Sequence, residues 1–68
     1  MAEIPSYLQP IVLDFPEYSQ GVNRITVRLA DGREFSDVFV AWGSEIIKVE
    51  GYKSLPFDPN QIVEVRKQ

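Results

Sequence analysis

With 68 residues, no Cys, no His and a net charge of −3, the chain is one small domain in which disulfides, thiolate metal sites and imidazole chemistry are excluded. A domain of this size buries only about 60% of the surface its unfolded chain exposes, so its core has little to spare. The acidic balance and the wide spread of the seven basic residues also disfavour nucleic-acid binding driven by phosphate neutralisation.

Apolar residues make up 44% of the chain and charged ones 25%, the composition of a folded domain rather than of a disordered one. No uncharged apolar stretch approaches the roughly 20 residues of a membrane span, and the first residues lack the basic and hydrophobic segments of a signal peptide. A cytoplasmic location without membrane contact is therefore the expectation. The ten acids are scattered singly, which argues against a carboxylate metal site.

Residues 1–10, interrupted by Pro5 and Pro10, read as a loose N-terminal segment. Residues 11–15 form either a strand with Ile11, Leu13 and Phe15 inward, or one helical turn opened by Pro10. The strand is preferred, because five strands close a small barrel better than four. A loop follows from Pro16 to Gly21.

Residues 24–29, RITVRL, alternate with a period of two, which places Ile25, Val27 and Leu29 on one face of a strand. Asp31-Gly32 is a turn signal, and REFSDVFVAW after it is again strand-like. A two-residue turn would mix the faces of this hairpin. A type I turn over Leu29, Ala30, Asp31 and Gly32, closed by Gly32 in the left-handed region, instead joins Phe35 and Phe39 to Val27 and Leu29 inside. Asp37 then falls on the inner side unless the strand bends there, and solvent exposure at a bulge is the cheaper outcome for a charge. Val38, Val40 and Trp42 point the other way, as in a long strand that bends and serves both halves of a barrel.

Trp42-Gly43 begins the next turn, and residues 45–50 form a third strand with Ile47 and Val49 on one side and Ile46 on the other. Pro56 and Pro59 keep the following segment out of a central strand. Asp58 followed by Pro59 is the start signal of a single 3₁₀ turn, and residues 62–66 make the last strand. The expected fold is thus all-β, a small five-stranded, strongly bent antiparallel barrel covering residues 1–68 as one domain.

The string Ile25-Thr26-Val27-Arg28-Leu29-Ala30-Asp31-Gly32-Arg33-Glu34-Phe35, followed by Val38-Phe39 and Trp42, resembles the first motif of Sm-like proteins. The resemblance implies a bent barrel of the Src-homology-3 type that assembles into rings and binds RNA. The chain departs from that pattern in the residues that would contact RNA. Asp37 stands in place of a small Gly, and Trp42-Gly43 and Ile47 replace the base-binding aromatic-Asp pair and Asn. The acidic Asp58-Pro59-Asn60-Gln61 replaces a basic turn. Nucleic acid is accordingly the second expectation and not the first.

Enzymatic chemistry requires a nucleophile beside a base or paired carboxylates in a cleft, and no motif supplies either, so no catalytic residue and no cofactor are expected. The aromatics are the better lead. Trp42, Tyr52 and Phe57 flank neighbouring loops, and Tyr18 lies in the N-terminal third. Trp and Tyr dominate protein-interface hot spots, so these four are the candidate partner-binding residues, although Trp42 and Phe57 are expected first as plugs of the barrel ends. Short edge strands and a Pro-bounded N-terminal segment add a capacity to pair or swap. The leading expectation is a non-enzymatic protein-interaction module or small accessory subunit, self-association included.

Overall fold

The computed structural model describes residues 2–68. Four antiparallel strands form one open sheet in the order β3-β2-β1-β4, with β1 Val22–Leu29, β2 Glu34–Ala41, β3 Glu45–Val49 and β4 Ile62–Lys67. A 3₁₀ turn, Ser6–Leu8, runs into the helix α1, Gln9–Leu13, and a second 3₁₀ turn, Pro59–Gln61, leads into β4.

The β1–β2 hairpin turns as its sequence requires. Gly32 has φ +94, its N–H donates to the Leu29 carbonyl at 2.9 Å, and the Leu29 N–H donates to the Arg33 carbonyl at 2.8 Å. This is a type I turn closed by a left-handed glycine, and it sets Val27 opposite Phe35. Within β2 the register then shifts: Ser36 and Asp37 together face Thr26, while Ile25 is opposite Val38. Asp37 adopts φ +55, a conformation that Asp tolerates better than most side chains. Its N–H donates to Gln68 Oε1 at 2.8 Å and its carboxylate accepts from Gln68 Nε2 at 2.6 Å.

That bulge reverses the faces of β2. Val38 and Val40 enter the core with no exposure, and Phe39, expected beside Val27 and Leu29, lies opposite Arg24 on the outer side. The same device recurs twice. In β3, Lys48 pairs with Phe39 and Ile46 with Val40, so Ile47 is extra and 53% exposed while Ile46 and Val49 are buried. The expected pairing of Ile47 with Val49 is corrected accordingly. In β4, Glu64 faces Arg28 and Ile62 faces Leu29, which leaves Val63 unopposed and turns both Ile62 and Val65 inward.

The expected strand at residues 11–15 is α1 instead. Pro10 lies in the first turn of the helix, where its fixed φ is pre-set for helix and its missing N–H costs nothing. Val12 is fully buried, whereas Ile11 and Leu13 are exposed, the reverse of the strand expectation. Residues 2–10 are packed where a loose segment was expected. Ile4 and Leu8 belong to the core, the Ile4 N–H donates to the Ser44 carbonyl at 2.7 Å and the Ile46 N–H to the Ala2 carbonyl at 2.9 Å. Glu3 thereby lies opposite Glu45 in an antiparallel bridge.

The five-stranded barrel is therefore not formed. The sheet stays open with β3 and β4 as its edges, and its apolar face is covered by α1, which lies against β1 and β4, together with Ile4, Leu8 and Phe57. Buried Asn23 ties the return loop down by donating to the carbonyls of Phe15 at 3.2 Å and Pro16 at 3.1 Å. None of the described helices is long and apolar enough to cross a membrane.

Candidate functional site

The four candidate aromatics occupy three separate places. Trp42 is 70% exposed, so it does not plug the fold. It sits in the β2–β3 turn, where φ is +56 at Trp42 and +75 at Gly43 and the Ser44 N–H donates to the Ala41 carbonyl at 3.1 Å, as in a type I′ turn. Its indole covers Gly21: a Cβ on that glycine would lie 2.7 Å from the ring. Leu13 covers Gly43 in the same way.

Tyr18 lies on the outer face of the sheet, edge-on to Phe39 with ring centres 5.2 Å apart. The Arg24 guanidinium is 5.3 Å from the Tyr18 ring, and Lys48 Nζ is 5.5 Å from that of Phe39. Tyr52 and Phe57 meet at the opposite end of β2 from Trp42, each against Phe35, at 6.0 and 5.0 Å. Phe57 is buried; it backs this cluster and does not offer its ring to a partner. Tyr52 is half-exposed.

Tyr52 also borders a groove of about 210 Å³ along the β3 edge. Its floor is residues 46–49, one end is Ala2 and the far wall is residues 52–55. A shallower depression continues past Ala2 and Leu55 toward Pro59 and Asn60. The turn that makes the far wall is closed by the Tyr52 N–H, which donates to the Val49 carbonyl at 3.1 Å. Charge within the groove is entirely positive, from Lys48 and Lys53. Lys48 pairs with Glu50 at 3.0 Å, and Lys53 has no ion pair among the described residues.

Sequence reasoning finds Tyr52 but misses Ile47, Lys48, Lys53 and Leu55. The available signal is the doubled isoleucine: in a strand with one buried face, adjacent Ile46 and Ile47 cannot both be inside.

On the outer face, Arg28 Nε donates to Glu64 Oε1 at 2.8 Å, and Arg66 donates to Glu34 at 2.5 Å. The Arg28 bond holds the Glu64 carboxyl below its usual range and raises the guanidinium. In the hairpin turn, the Arg33 backbone N–H bonded to Asp31 lowers that carboxyl too. These charges are engaged with one another. Among the described residues no group of three or more acidic side chains is placed to hold a metal ion.

Comparison with protein-family models, with curated proteins and with solved structures finds no match to this chain.

Proposed function

We propose that this chain is a non-enzymatic protein-interaction module, or a small accessory subunit, acting in the cytoplasm and engaging a partner polypeptide along the β3 edge beside Tyr52. The observation that carries this reading is the incomplete cover of that edge. Residues 2–4 pair with β3 only as far as Ile46, and the remainder opens into the groove. The short stretch of edge between Ile46 and the Val49 carbonyl, which the Tyr52 N–H already occupies, is bordered by a half-exposed tyrosine and so combines the two parts of a peptide-docking surface, backbone groups for affinity and a side-chain contact for selectivity.

Retention of a partner from native lysate tests it. Tyr52→Ala and Ile47→Lys are expected to abolish retention that the wild-type chain and Ile11→Ala preserve. A strictly monomeric chain that retains nothing, or retention indifferent to both groove substitutions, defeats the proposal.

A second reading, a degenerate Sm-like RNA binder, draws support from the outer-face group of Tyr18, Phe39, Arg24 and Lys48, since rings beside cations suit stacked bases. Titration with labelled single-stranded RNA at low salt separates the two. A phosphate-dominated site must lose affinity steeply as salt rises, and flat curves remove this reading.

A further inference from the structure

We infer that the occupant of the β3 groove is an extended segment alternating apolar and acidic side chains, added to the sheet as a strand beside residues 47–49; the inference rests on the interaction reading above and names its partner. Shape is the first argument. At about 210 Å³ the groove is not an enclosed pocket but continues into a larger, shallower depression toward Pro59 and Asn60, a course that suits a chain running along the edge better than an enclosed small molecule. The groove itself takes one or two side chains of a longer chain. Backbone is the second, because this edge already accepts a strand: residues 2–4 lie antiparallel on Ser44 and Ile46 with bonds of 2.7 and 2.9 Å.

Charge decides the chemistry of the occupant. The molecule carries −3 overall, yet among apolar residues such as Ile47 and Leu55 the groove presents Lys53, which has no ion pair among the described residues, and at its rim Lys48, paired with Glu50; Glu3 borders only the shallower depression beyond Ala2. The Lys48–Glu50 pair is well exposed on both sides, so an incoming carboxylate competes with it at little cost. A second copy of the chain is a poor occupant. Residues 45 and 46 are taken by residues 2–4, so two β3 strands could meet only over residues 47–50. That brings the two Lys48 side chains opposite or diagonal to each other, where like charges oppose pairing.

The test uses the whole chain, ¹⁵N-labelled, titrated with three acetylated octapeptides: alternating Val and Glu, alternating Val and Lys, and the Val/Glu peptide with two central prolines. The Val/Glu peptide is expected to move the amide signals of residues 47–49 and 52–54 and to bind about tenfold more tightly than the Val/Lys peptide. The proline version is expected to lose binding, since it cannot donate to the edge. Lys53→Glu narrows the acidic preference, and Lys48→Glu with Lys53→Glu inverts it. Equal affinity for acidic and basic peptides, signals moved elsewhere, or dimerisation through β3 in sedimentation overturns the inference. If no peptide binds while Tyr52-dependent partner retention persists, the occupant is wrong and the interaction reading stands. If that retention is absent too, both fall.

Discussion

Trp42 holds a backbone conformation that its side chain disfavours. With φ +56 it sits in a turn position where Asn and Gly are at home, and a left-handed residue with a Cβ costs roughly 1–2 kcal/mol. The ring recovers part of that by lying on Gly21, but most of it faces water. Trp42→Asn is therefore expected to leave stability unchanged or to raise it by up to about 1 kcal/mol, measured as the urea midpoint. A loss above about 2 kcal/mol, comparable to losing a buried side chain, means that the ring is a structural strap. Gly21→Ala places a Cβ against the indole and keeps φ at +74, so it is expected to cost about 1–2 kcal/mol, less when Trp42 has been replaced. Residue type alone could not place the aromatics. Phe57 and Trp42 look equally apolar in sequence, and only the left-handed turn sends one of them outward.

Among the elements, α1 gives the sharpest contrast. Val12→Ala removes fully buried methyls and is expected to cost about 2 kcal/mol, whereas Ile11→Ala, on the exposed side, stays within about 0.5 kcal/mol; a strand at residues 11–15 would give the opposite order in urea unfolding. Asp58 caps the 3₁₀ turn by accepting from the Asn60 N–H at 3.0 Å, and Asp58→Ala is expected to cost about 1 kcal/mol. On the outer face, the Glu64 carboxyl is lowered in the folded state by Arg28. Its contribution is therefore present at neutral pH and lost as pH falls from the ordinary Glu value of about 4.3 through the depressed folded value. Glu64→Gln is expected to flatten the acid limb of the urea midpoint plotted against pH, and an unchanged limb removes Arg28–Glu64 as a contributor. The strands, the glycine-closed hairpin and the Asp58 turn were legible in the sequence because each follows from a local rule. The bulge at Asp37 was signalled by the cost of turning a carboxylate inward, but the reversal it imposes on Val38, Phe39 and Val40 was not read, nor were the bulges at Ile47 and Val63, because a single unpaired residue reverses every face beyond it.

As a whole, the molecule is held together by distant parts of the chain. Its surface of 4300 Å² matches the roughly 4,400 Å² expected of a folded monomer of this mass, and Ile4 and Leu8 near one end of the chain share one core cluster with Ile62 and Val65 near the other. Deleting residues 2–8 is expected to abolish the cooperative thermal transition, since a core this small cannot lose two fully buried side chains. A retained sharp transition overturns that account. The groove is equally non-local, assembled from Ala2, β3 and residues 52–55, which is why sequence reasoning recovered Tyr52 and not its neighbours. The position of Trp42, the only indole in the chain, also has a practical meaning. It stands one β2 length, about 20 Å, from Phe35 and the tyrosine set edge-on to it. Indole emission, excited at wavelengths that tyrosine does not absorb, thus reports on a single extremity of the wild-type protein. A strand lodged by β3 leaves the emission spectrum alone, while anything settling over the β2–β3 turn shifts it to the blue, so an unlabelled titration tells which extremity has been occupied.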